Sequence, residues 1–204
     1  MNTQMAYLIG MILGNGEVQH RTDTTTITIE LPHKNLIDDE GREVAIYVKS
    51  SLTDIRNIIE PLIGHSLPIS ETKRATQFSF TKRNEDYTMR EILRFIGNGV
   101  HHSTMTMNEE LFNMTTDEKK ELLRGMADVT GYIRKSNMAY GQDGAHRVYI
   151  EIPGNWQLVI DICKHFILPS SYIFGCNLID FVIFKIRQNF LLNNIFFCLP
   201  SAFL

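Results

Sequence analysis

Cysteine is scarce in this 204-residue chain: Cys163, Cys176 and Cys198 are its only three, and none has the CxxC spacing of a zinc site or redox pair. That scarcity reads as a reduced, intracellular protein, cytoplasmic or associated with an organelle or nucleoid. An excess of either charge is also missing. A formal net charge of -3 and a pI near 6.2 exclude a histone-like binder of polyanions, so any such surface must be local. The opening MNTQMAYLIG lacks the basic lead and small-residue cleavage pattern of a signal peptide. No uninterrupted apolar run is long enough for a membrane span. The greasiest stretch, from residue 178 onward, is broken by Lys185, Arg187, Gln188, Asn189, Asn193 and Asn194. No Ser-His-Asp arrangement, phosphate loop or dinucleotide fingerprint is present. His101 and His102 lack partners at metal-ligand spacing and read as a surface pair whose rings point apart. What remains, 44% apolar with 21% charged residues, is the composition of a globular domain.

The chain repeats itself. LLRGMADVTG (122–131) echoes YLIGMILGNG (7–16), with a shared Leu-x-Gly-Met core, and each copy then runs through a short strand, a polar turn, a long strand and a proline. In the first long strand Ile27, Ile29 and Leu31 alternate with Thr26, Thr28 and Glu30 before Pro32. In the second, Val148, Ile150 and Ile152 alternate with Arg147, Tyr149 and Glu151 before Pro153. Residues 44–62 predict one helix capped near Ser51 to Thr53, or two short ones. A further hairpin with a Lys73-Arg74 turn follows, in which Phe78 and Phe80 alternate with Gln77, Ser79 and Thr81. YTMREILRFIG predicts an amphipathic helix ended by Gly97, and Thr115 with Glu118 fits a capping box for the second motif helix. Asn155 is a cap ahead of Trp156, itself expected in the core. The domain reading is a first half over 1–100, a linker over 101–114, a partial second half over 115–168 and a divergent apolar tail over 169–204. No second alternating hairpin is expected past residue 168.

A motif helix repeated ahead of two matching hairpins resembles the single-chain LAGLIDADG homing endonucleases, over residues 4 to about 166, with LIGMILGNG (8–16) and LRGMADVTG (123–131) at the motif. The resemblance implies an α+β fold, a pseudo-twofold αββαββα repeat whose second copy here is incomplete. It also implies that the two motif helices pack side by side. Glycines cost roughly 1 kcal/mol each in a helix, and close backbone approach would explain why Gly10, Gly14 and Gly125 are there.

In that family the eighth motif position is acidic, and one carboxylate from each helix holds divalent metal beside the scissile phosphates. The corresponding residues are Asn15 and Thr130, oxygen ligands without charge. Asp128 falls on the first acidic position of the motif, and Glu17 lies one residue past the final glycine of the first copy. Helical geometry turns position 128 roughly 200° from 130. Asn15, Thr130 and Asp128 are therefore the candidate catalytic positions, with Mg²⁺ or another divalent metal as the cofactor implied if cleavage survives.

The family's sheets lie in the major groove of duplex DNA. Strand parity then nominates Gln19, Arg21, Thr26, Thr28, Glu30, Gln77, Ser79 and Thr81 from the first half, and Arg134, Ser136, Arg147, Tyr149 and Glu151 from the second. Lys73, Arg74, Lys82, Arg83 and Lys135 are placed for phosphates. The expectation is a monomeric, sequence-specific binder of double-stranded DNA, an endonuclease with substituted catalytic positions. The alternative is a non-catalytic regulator or RNA-splicing maturase on the same scaffold. A solvated antiparallel sheet face, which also alternates polar-out, is the plainer explanation for any single residue.

Overall fold

A computed structural model of the chain describes residues 1–32, 45–72, 75–135, 146–166, 181–187 and 197–200. The fold is α+β. Helix α1 (Thr3–Asn15) leads into strands β1 (Gly16–His20) and β2 (Thr24–Pro32), helix α2 (Ala45–Ile63), strands β3 (Ile69–Glu71) and β4 (Ala75–Arg83), and helix α3 (Tyr87–Ile96). The second copy runs α4 (Thr116–Thr130), β5 (Gly131–Lys135), β6 (His146–Pro153) and α5 (Trp156–Phe166), then β7 (Phe181–Arg187) and β8 (Phe197–Pro200).

The first sheet is fully antiparallel in the order β1-β2-β4-β3. Period-2 alternation puts Thr25, Ile27, Ile29 and Leu31 of β2 in the core, facing Phe78 and Phe80 of β4, and leaves the intervening residues half-buried. The turn after β1 closes through Arg21 N–H to Thr24 C=O at 2.8 Å. Asn84 holds that turn from the far end of β4, its side-chain amide donating to the carbonyls of Arg21 and Thr22 at 3.3 and 3.2 Å. The stretch 44–62 resolves as one helix, α2. Helix α3 buries Met89, Ile92, Phe95 and Ile96 on one stripe, starts at an Asp86 cap that accepts from Met89 N–H, and stops at Gly97 with φ of 68°.

The second sheet has the order β5-β6-β7-β8, with β6 and β7 parallel. Two strands thus lie past residue 168, where the sequence predicts no second alternating hairpin, and they do not repeat the first sheet's arrangement. FVIFKIR is nearly continuous in apolar residues, so it carries no period-2 signal, and a parallel partner requires a crossover connection that local sequence does not announce.

Residues 97–114 do more than bridge the halves. Val18 N–H donates to Val100 C=O at 2.7 Å and His102 N–H to Gly16 C=O at 2.8 Å, so this segment runs beside β1. On its other side the Asn155 amide donates to the carbonyls of His102 and Met105, both at 2.7 Å, while its oxygen accepts from Leu158 N–H and caps α5. Met107 N–H reaches the Asp161 carboxylate at 3.3 Å, and Met105, Met107 and Leu111 join the core. Buried polar groups at Asn155 and Asp161 are thereby satisfied. Trp156 packs partly buried against the same core. The Thr115 and Glu118 capping box is formed at the start of α4.

Candidate nucleic-acid interface

Helix α1 is buried from Met5 to Gly14 on all sides, touching α4, α2, α3 and β2. Its contact with α4 is backbone to backbone. A Cβ at Gly10 would overlap the carbonyl of Leu122, and one at Gly125 would overlap the carbonyl of Tyr7. At Gly14 it would meet Cγ2 of Val129 at 2.6 Å. Glycine is required at these places by close approach. The contact partners advance together along both helices, so α1 and α4 run parallel and their last residues, Asn15 and Thr130, lie at the same end of the pair. From that end Gly16 and Gly131 start β1 and β5.

At these helix feet Asn15 donates its side-chain amide to the Glu30 backbone carbonyl at 2.7 Å. The Thr130 hydroxyl, buried, turns back onto its own helix and donates to Met126 C=O at 2.9 Å. Neither position supplies charge. Asp128 is committed elsewhere: it accepts from the Tyr7 hydroxyl at 2.6 Å. Asp128 lies two residues, about 3 Å of helix rise, before Thr130 in α4, with its side chain engaged by Tyr7 of α1. Arg124 sits over the Tyr7 ring, 4.7 Å from its centroid. Burial, then the neighbouring Asp128 charge, push the Tyr7 phenol above its ordinary range. Desolvation raises the Asp128 carboxyl although the residue reaches the surface, and the Tyr7 hydrogen bond opposes that rise.

Sequence reasoning did not place His102 here. Its backbone bond to Gly16 brings it beside the foot of α1, and the expectation that the two histidine rings point apart is corrected: a turn from His101 to Thr104 brings their centroids within 3.9 Å. Burial, then the His101 charge, pull the His102 ring down to about 4, against the opposing pull of Gly16, Glu30 and Glu17. It is neutral at pH 7. Among the described residues no group of three or more His, Cys, Asp or Glu side chains comes together to hold a metal. The donors at the feet do not fit a hard divalent cation, which favours charged oxygen ligands.

The sheet's outer face is polar in regular rows. Register places Glu17 beside Thr28 and Ser79, Gln19 beside Thr26 and Thr81, and Glu30 beside Gln77 and Ser70. Side chains join across the strands: Thr26 to Thr81 at 2.8 Å, Thr28 to Ser79 at 3.4 Å, and Gln77 donating to Glu30 Oε2 at 3.1 Å. Gln19 donates to Glu17 at 3.3 Å. Arg21 is exposed just beyond β1, and Lys82 is paired with Asp86 at 3.0 Å. In the second sheet Arg134 is registered opposite Arg147 and Tyr132 opposite Tyr149. Lys73, Arg74 and Ser136 lie outside the described residues, as do the side chains of Arg134, Lys135, Arg147, Tyr149 and Glu151.

No known family's profile matches the chain, and no curated protein matches it in sequence. Among solved structures it is similar to a glycine-to-serine variant of I-DmoI in complex with its target DNA in the presence of magnesium, at 12% identity and a TM-score of 0.36, over 68% of this chain and 72% of that one. No described helix is long and apolar enough to cross a membrane.

Proposed function

We propose that this protein binds double-stranded DNA sequence-specifically on a scaffold of the LAGLIDADG endonuclease type, as a monomer with internal pseudo-twofold symmetry, and that its substituted helix feet leave metal-dependent cleavage weak or absent. The observation that carries the reading is the helix pair. Two copies of one motif lie parallel through Gly10 and Gly125, each against the other's backbone, and each delivers its chain into a hairpin from the same end. A single core helix ended by glycine needs neither the second copy nor the mutual contact. The polar rows from Gln19 to Thr81 supply donors and acceptors across three adjacent strands, β1, β2 and β4, on an antiparallel face of the kind whose side chains can read base edges in the major groove.

The reading without cleavage is favoured over an active nuclease by the feet themselves, where an amide bonded to Glu30 C=O and a hydroxyl bonded to Met126 C=O stand in place of two carboxylates. The basic positions Arg21, Lys73, Arg74, Arg83, Arg134 and Lys135 then take phosphates. The test is duplex binding across a salt series. Log affinity should fall linearly with log salt, and neutralising Lys73 or Arg74 should reduce the slope by about 0.9 for each phosphate that the variant no longer neutralises. Folded protein that fails to bind any duplex, or binds it independently of salt, removes the proposal.

A further inference from the structure

We propose that Glu30 and Gln77 act as one hydrogen-bond-accepting unit that selects an exocyclic amino group, cytosine N4 or adenine N6, at a base pair near the centre of the DNA site, an inference that rests on the duplex-binding reading above. Three observations converge on the pair. Glu30 is fixed at the foot of α1, because its own carbonyl accepts from the Asn15 amide. The row it shares with Gln77 is therefore the innermost of the three polar rows. Thr28 with Ser79 and Thr26 with Thr81 follow outward along β2, each step of two residues covering about 6.8 Å, close to two base-pair rises.

The side chains then set the chemistry. Gln77 Nε2 donates to Glu30 Oε2 at 3.1 Å, which orients the amide and leaves Glu30 Oε1 and the Gln77 carbonyl oxygen as acceptors on the face of the sheet. Among the described residues no cation pairs with Glu30. A bare carboxylate on a surface that meets a polyanion is unfavourable unless it receives a donor, and in the major groove the base-edge donors are the amino groups of cytosine and adenine. Guanine O6 or thymine O4 at the same place would set acceptor against acceptor beside a desolvated charge. In the outer rows the hydroxyls of Thr26, Thr28, Ser79 and Thr81 donate or accept with equal ease and discriminate weakly, while Glu17 and Gln19 of β1, at the edge of those rows, are joined to each other along their own strand. Among the described residues the innermost row alone joins a carboxylate to an amide across β2 and β4.

The test uses the full chain and a pool of double-stranded DNA randomised over the site, with bound molecules sequenced and total pool affinity measured separately. Wild-type protein should show one near-central column enriched in C or A over G or T on a single strand, by about 10-fold. Glu30→Gln, which can both donate and accept, should flatten that same column while leaving the outer columns unchanged. Because it also removes a negative charge from a surface that meets a polyanion, it should raise affinity for random duplex. Gln77→Ala, with folding checked by thermal melting, should weaken the same column without the rise in affinity. A central column that is uniform, that favours G or T, or that survives both substitutions overturns the inference while duplex binding stands. Absence of duplex binding by folded wild-type protein overturns both.

Discussion

Adding one methyl group at Gly10 is the most direct perturbation of the helix pair. Two effects oppose each other. Alanine in place of a helical glycine gains up to about 1 kcal/mol in propensity. Against this, the new Cβ falls on the Leu122 carbonyl and within 3.1 Å of the Leu122 Cα, atoms of α4's backbone that no rotamer change can move aside. The helices must separate along a contact whose lining residues, Tyr7, Met11, Leu122 and Met126, are at most 1% exposed. Overpacking of that kind costs about 1–3 kcal/mol and occasionally more, and a backbone clash belongs at the upper end. The net expectation for Gly10→Ala, and equally for Gly125→Ala, is a loss of about 2 kcal/mol, or a melting temperature lower by about 4–8 °C for a chain of this size. Gly14→Ala separates the two effects. Its nearest obstacle is the Val129 Cγ2 methyl at 2.6 Å, a stiff, buried side chain and not backbone, so Gly14→Ala should also destabilise, but by less than Gly10→Ala. Urea and thermal unfolding of the three variants checks the order. Gly10→Ala melting at or above the wild-type temperature refutes the backbone contact.

At the other end of α4, the capping box predicts a pH dependence. Burial alone would raise the Glu118 carboxyl, but the Thr115 backbone and hydroxyl hydrogen bonds, together with the N-terminal ammonium of Met1 at 3.2 Å, outweigh it and hold the group below its ordinary value. Its stabilisation is therefore present above the unfolded pKa and lost as pH falls through the folded one. Glu118→Gln should cost about 1 kcal/mol at pH 7 and progressively less as pH falls through the folded pKa, measured by urea unfolding, and a cost independent of pH would contradict the assignment. Restoring charge at the feet supplies the remaining prediction. Wild-type protein should leave duplex DNA largely uncut with Mg²⁺, and Asn15→Asp with Thr130→Asp should raise nicking or cleavage in a plasmid assay. Efficient double-strand cleavage by the unmodified chain would show the feet to be competent as they stand.

Much of the fold is legible in the sequence because the first half obeys simple periods. The alternation of β2, the stripe of α3, the glycine stop at residue 97 and the Thr115 box each follow from spacing alone. The glycines of α1 are informative for the opposite reason: they violate helix propensity, and such a violation requires a neighbour. What stays hidden depends on contacts between distant residues. The parallel pairing of β6 with β7 has no local signature, and neither does the short run beside β1 that carries His101 and His102. Asn155 is readable as a cap, but not as the group that also satisfies the His102 and Met105 carbonyls. At the site, the alternation nominates the polar face of the first sheet, whereas the Glu30–Gln77 hydrogen bond needs the β2–β4 register to bring it together.

The amide at Asn15 ties these levels together. A carboxylate there could not donate to the Glu30 carbonyl, and would set negative charge against it instead. The hydrogen bond at 2.7 Å does for the foot of α1 what an ordinary side-chain tie does elsewhere: it satisfies a strand carbonyl and fixes the helix end to β2. Replacing Asn15 by Asp without metal should leave that carbonyl unpaired, a loss of about 1–3 kcal/mol. A metal site formed by the paired aspartates, with a Kd of about 1 mM, would return about 1.4 kcal/mol at about 10 mM Mg²⁺. The charged version of this foot is thus stable chiefly when metal binds, whereas the amide version needs no ion to hold the sheet in register. That difference is the physical ground for separating the two halves of the functional reading. The Asn15 tie between the helix foot and β2 needs no cation, so the proposed duplex binding by this face does not depend on whether metal is held at the feet.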